Sequence, residues 1–303
     1  MENSARNDYR KYLDPAVVSR LSSFELKTRY IVEGFLLGLH RSPYHGFSIE
    51  FSQHRPYMPG DSPKDIDWRA YGKTDKFYIK QYEEETNLRC SILLDCSRSM
   101  AFSHSGRITK FDYAAMLASA LSYLCIHQKD AAGLTLYADT VKKNLPPKAS
   151  SMYLNEILKS ISVASVADAT KTAKCLAESA EKIKHKGLVI VISDFFDDPD
   201  EIMKGLRHFR FKKNEVIVFQ ILDSVERNFA FGKDAIFVDM EGGEEILTQP
   251  HQIQKAYQDS MKEYLAHLKK ECLQNGIDYN LIDTSEPFDK SLFSYLQKRS
   301  RLY

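Results

Sequence analysis

"SILLDCSRSM", residues 91–100, decides how the rest of the chain is read. An aliphatic run ends in an acid, and oxygen-bearing side chains then fall at every second position, as Asp95, Ser97 and Ser99. The run "LRCSILLD" predicts a buried strand. Alternation past its end turns those three side chains roughly one way while Cys96 and Arg98 point elsewhere. Short side chains of this kind bring three oxygens to one point. Carboxylate and hydroxyl oxygens are hard donors, suited to magnesium, manganese or calcium and poorly suited to zinc or copper. Asp and Ser are equally the residues of turns and helix caps, and the stretch by itself supports both readings.

Downstream, "KFDYAAMLASALSYLCIHQ" predicts a helix, "AAGLTLYA" a strand and "TVKKNLP" a short antiparallel edge strand. "SMYLNEILKSI" and "TKTAKCLAESAEKIK" follow as helices, "GLVIVISD" as the most apolar strand, "DPDEIMKGLRHFR" as a helix and "EVIVFQILD" as a strand. Glycine turns between Ser224 and Gln249 predict a small β excursion. The alternation then resumes with a helix from near Pro250 to Asn275, striped by Ile253, Tyr257, Met261, Tyr264, Leu265 and Leu268, then strand "IDYNLID" and a last helix. Strands alternating with helices make a mostly parallel sheet covered on both faces. Upstream, helical spacing from about Asp14 to Leu39 is followed by "GFSIEFS" and "KFYIKQYEEE", a strand pair with a long loop between. The chain therefore divides into an N-terminal extension, 1–87, and an α/β domain, 88–303, with a β insertion near 224–249.

Composition narrows the function. The 303 residues carry 42 basic and 41 acidic side chains, a net charge of +1, which offers no global attraction to nucleic acid or anionic membrane. The basic cluster "RHFRFKK" reads as a solvated helix end. The five cysteines are scattered with no C-x-x-C pair, as in a reducing compartment. The polar start lacks a signal-peptide core, and no apolar run reaches the ~18 residues that span a bilayer, so the expectation is a cytoplasmic protein with no membrane insertion. No G-x-x-x-x-G-K-[ST], G-x-S-x-G or H-E-x-x-H motif occurs, so nucleotide hydrolysis, serine hydrolysis and zinc proteolysis have no support.

In a parallel sheet, ligands gather outside the carboxyl ends of the strands, where Asp95 and Asp194 both fall. "DATKTAKCL" adds Thr170 and Thr172 at the start of a helix, which by themselves read as caps. In "VIVISDFFDDP", Asp194 is followed by Asp197 and Asp198, which suit a helix start. Together the three segments resemble the metal-ion-dependent adhesion site of von Willebrand factor A domains. That site has Asp-x-Ser-x-Ser, a threonine from a second loop and an aspartate from a third. The resemblance implies a doubly wound, Rossmann-like α/β fold with an N-terminal helix and small β extension. It also implies Asp95, Ser97, Ser99, Thr170 and Asp194 as ligand positions for a divalent cation, magnesium first, with manganese or calcium as alternatives. In that family a sixth position stays open for an acidic side chain of a protein partner. Two carboxylates only about neutralise such an ion, which keeps affinity for one more anionic oxygen.

The segment "GFSIEFSQHRPYMPGDSPKDIDWRAYGKTDKFYIKQYEEE", with "FVDMEGGEEIL" and "CLQNGIDYNLIDT", resembles a bacterial family of unknown function, number fifty-eight, which joins such a region to a von Willebrand factor A-like domain. Members resemble partners of MoxR-type AAA+ ATPases, which implies a non-enzymatic adaptor or client-docking role. Within the hallmark, Trp68 reads as the anchor of its loop, with Arg55, Asp65, Asp67 and Arg69 as an ion-pair network. The enzymatic alternative is a magnesium-dependent, phosphatase-like hydrolase using Asp95. Haloacid-dehalogenase-type phosphatases place a second aspartate two residues on, where this chain has Ser97.

Overall fold

The computed structural model describes residues 18, 26–33, 54–56, 66, 68, 71–72, 75–80, 88–104, 108–166, 171–231, 235–238, 245–248 and 250–300. Packing divides the chain into one unit of residues 1–41 with 88–303 and a second of residues 42–87. Residues 26–33 are helical, and Val18, Ile31 and Val32 belong to the core of the first unit. The sequence had grouped this helix with the strand pair of the extension. Its two consecutive buried aliphatics find their partners in the larger core.

In the second unit, β1 (His54–Pro56) pairs antiparallel with β2 (Tyr78–Lys80), Arg55 lying opposite Ile79. The sequence had placed His54–Pro56 in the long loop, and "GFSIEFS" lies outside the described residues. A three-residue strand ending in proline is short and lacks a donor at its end, so alternation could not reveal it. Trp68 is 60% exposed and meets Tyr71 edge-on, while Tyr71 stacks on Phe77 at 4.5 Å. It does not bury as an anchor should. Asp65, Asp67 and Arg69 lie outside the described residues.

The first unit follows the predicted alternation. After β3 (Arg89–Asp95) come α1 (Lys110–His127), β4 (Ala131–Tyr137), β5 (Val141–Lys148), α2 (Ser151–Ser162) and α3 (Thr172–Lys182). Then follow β6 (Leu188–Ser193), α4 (Pro199–Phe211), β7 (Glu215–Leu222) and α5 (Ser224–Asn228). A hairpin of β8 (Ala235–Val238) and β9 (Glu245–Thr248) precedes α6 (Pro250–Gln274), β10 (Asp278–Asp283) and α7 (Asp289–Ser300). The predicted β excursion thus opens with a helix, because Asp223 accepts a hydrogen bond from the Val225 amide and caps a single turn.

Six strands form one sheet in the order β10-β7-β6-β3-β4-β5, parallel except for the antiparallel edge strand β5. β3 and β6 are central and aliphatic on both faces, as strands covered on both sides must be. Ile92, Leu94, Ile190 and Ile192 pack with α1, α2 and α7, whereas Leu93, Val189 and Val191 pack with α3, α4 and α6. This is a doubly wound α/β architecture. All five cysteines are buried, and none forms a disulfide. No helix among the described residues is long and apolar enough to cross a membrane.

Candidate functional site

β3 and β6 are neighbours and parallel, so their last residues, Asp95 and Ser193, arrive at the same edge of the sheet with Asp194 one residue beyond. Asp95 is wholly buried. One of its oxygens, Oδ1, accepts the Ser97 amide at 2.8 Å, and the other, Oδ2, accepts the Ser193 hydroxyl at 2.6 Å. Burial, and next the nearby Asp194 carboxylate, push its pKa up to about 7. The first contact is an Asx turn, so Asp95 does shape the loop. It also leaves Asp95 in the interior near the Asp194 carboxylate, with no ion-pair partner of its own among the described residues.

The serines decide between cap and site. Ser97 stands at the N-cap of the 3-10 turn Arg98–Ala101, yet its side chain makes no capping bond. Its buried hydroxyl lies instead 3.2 Å from that of Ser99. Two hydroxyls sharing one contact keep lone pairs free for a further positive partner. Asp198, by contrast, is an ordinary cap, accepting the amides of Asp200 and Glu201 at the start of α4.

Asp194 is fixed from several sides. Its backbone carbonyl accepts Gln220 Nε2 at 2.8 Å, and Gln220 is itself held by the Tyr279 hydroxyl. The next residue, Phe195, takes a left-handed backbone, φ 55°, with its amide on Ser193 Oγ at 2.9 Å and its carbonyl accepting the Tyr264 hydroxyl. A buried phenylalanine pays for that conformation with packing on its own face of the sheet. The Asp194 side chain meets a group the sequence reading did not single out. Lys110 Nζ lies 2.8 Å from Asp194 Oδ2, and 3.0 and 2.9 Å from the two oxygens of Glu226 on α5. Lys110 is 0% exposed. Burial alone would depress its pKa, but the two facing carboxylates outweigh burial and raise it, so the lysine is a fixed positive charge.

Four of the five sequence-predicted positions therefore come to one place: Asp95, Ser97, Ser99 and Asp194. Thr170 lies outside the described residues. Thr172 is the first residue of α3 and not its cap, and its buried hydroxyl has no hydrogen-bond partner among the described residues. Sequence reasoning missed Ser193, Lys110 and Glu226. Lys110 did leave a trace, because a lysine in the first turn of a helix opposes the helix dipole and needs compensating acids. Among the described residues no group of three or more His, Cys, Asp or Glu side chains could hold a metal ion. Any ion here would depend on the hydroxyls. The uncapped serine pair beside a buried carboxylate fits a hard, oxygen-seeking cation. Asp194 fits one only where it shares its carboxylate with Lys110.

Fold and site together define a doubly wound α/β domain whose polar loops sit at the carboxyl ends of its two central strands. The chain belongs to the family described as Protein of unknown function DUF58, which matches residues 53–267. It is 24% identical over 234 residues to the uncharacterized protein Rv1480 of Mycobacterium tuberculosis, spanning 76% of this chain and 73% of that one. Among solved structures it is similar to the conserved hypothetical protein BatB of Bacteroides thetaiotaomicron, with a TM-score of 0.47, 18% identity, and coverage of 70% of this chain and 98% of that one. It is also similar to the SpRpn10 VWA domain, with a TM-score of 0.41, 13% identity, and coverage of 67% and 93%.

Proposed function

We propose that this chain is a non-enzymatic interaction module of the cytoplasm. In this reading it docks an acidic side chain of a protein partner through a divalent cation, magnesium first, and acts as adaptor or client-docking partner of a MoxR-type AAA+ ATPase. The observation that carries the reading is the buried Ser97 hydroxyl, which stands at a cap position, leaves the cap unmade and turns to Ser99. Ser97, Ser99 and Thr170 would offer hydroxyl oxygens, with the Asp95 and Asp194 carboxylates supplying charge. The bound ion would supply a positive point that a partner's carboxylate completes.

The chain's own residues define the rest of the role. Asp95 and Ser193 tie the two central strand ends together, so the loop oxygens are held by the sheet and not by side-chain chance. A groove between α3 and α4, lined by Lys171, Lys174, Lys204 and His208 with Asp197 and Glu201, begins beside the same loops, and while Lys204 is paired with Glu201, Lys171 adds a cation suited to an acidic segment. No observation favours the hydrolase alternative.

Affinity capture from a native lysate tests the proposal. A MoxR-type ATPase should be recovered with magnesium and lost with chelator, and the loss should be reproduced by Ser97→Ala/Ser99→Ala. Recovery that is indifferent to both treatments contradicts a metal-dependent docking site.

A further inference from the structure

Lys110 is the buried charge that the proposed ion site does not use. It opens α1, where the helix dipole disfavours a cation, and its ammonium bridges Asp194, after β6, to Glu226, on α5. The Phe196 ring lies 4.8 Å from the ammonium and the Phe102 ring 5.8 Å, two further sources of cation attraction. Such a group is too well satisfied to be a stray surface lysine. It also stands where a metal ion would need the same carboxylate, since Asp194 Oδ2 is taken at 2.8 Å and Oδ1 receives only a long 3.4 Å contact from the Phe196 amide.

We propose that Lys110 is the resident cation of this site and competes with the divalent ion for Asp194, with Glu226 as the carboxylate that retains the ammonium when Asp194 is given up. The inference rests on the ion site proposed above. Charge supports it: with all three carboxylates ionised, Asp95, Asp194 and Glu226 against Lys110 leave an excess of two negative charges, enough for one divalent ion without expelling the lysine. Two cations on one carboxylate repel strongly in an interior of low dielectric. Each weakens the other's hold, and the ion's affinity is kept low until a partner's carboxylate adds to its shell. Lys110 is thus a positioning and tuning residue that links ion occupancy to α5 through Glu226.

The test compares calorimetric titrations of Mg2+ and Mn2+ into wild type and into Lys110→Met/Glu226→Gln, which removes one charge of each sign and leaves the net charge of the site unchanged. Competition predicts tighter binding by the double variant, by about tenfold or more. A purely net-charge effect predicts equal affinity, and a lysine that merely orders the site predicts weaker binding; either result overturns the proposal. Ion binding by the variant alone supports competition and contradicts the metal-dependent reading of the native protein, whereas silence from both proteins overturns both. If circular dichroism shows that the double variant is not folded, wild type answers by itself. The Lys110 ε-methylene resonance, assigned through Lys110→Arg, should shift with the same saturation curve as the calorimetric heat. No shift at saturating ion overturns the proposal.

Discussion

Ser97 separates structure from function most sharply, because its hydroxyl stabilises no helix end. Ser97→Ala should therefore cost less than about 1 kcal/mol, the worth of one hydroxyl contact, as read from urea unfolding, while removing a donor from the ion site. Asp95 makes the opposite prediction. Its folded pKa, about 7, lies above its ordinary value of 3.8, so the folded chain binds the proton more tightly than the unfolded chain does. The associated stability is complete below pH ~4, is lost as pH rises through about 7 and changes little above, a swing on the order of 4 kcal/mol. Thermal melting in chelator should show that decline, and Asp95→Asn should flatten it. A wild-type curve flat from pH 5 to 8 would contradict the electrostatic account of the site.

At the scale of elements, α1 is tied to β6 and α5 by one ammonium. Lys110→Met leaves a buried Asp194 and a half-buried Glu226 without their counter-charge, so it should destabilise the fold by ~3–5 kcal/mol in chemical denaturation. Close packing of α3 on α4 depends on Gly205, where an added Cβ would stand 2.8 Å from Leu176 Cβ and 3.2 Å from the Ala173 carbonyl. Gly205→Val should cost about 1–3 kcal/mol by overpacking, and an unchanged denaturation midpoint would refute that tight contact. Most helices and strands of the first unit were legible in the sequence because they had a periodic or aliphatic run, as in β3, β6 and α1. β1 and α5 were not. Three residues ending in proline show no alternation, and the single turn of α5 depends on the Asp223 cap and not on a hydrophobic stripe.

For the whole molecule, the doubly wound sheet follows from chain order, since strands and helices alternate and only β5 returns antiparallel. Asp95, Ser97 and Ser99 were visible because they lie within five consecutive residues after one strand, and Asp194 because it follows the most apolar strand. Lys110, Asp194 and Glu226 were not visible as a group. The lysine is 84 residues from one partner and 116 from the other, and only the parallel pairing of central strands brings those segments together. The most direct test of the account is calorimetric titration of Mg2+ into wild type and Ser97→Ala/Ser99→Ala, both verified as folded. Saturable heat from wild type that is absent from the serine variant is the predicted result. Equal heats from the two proteins would contradict a cation site at the end of β3.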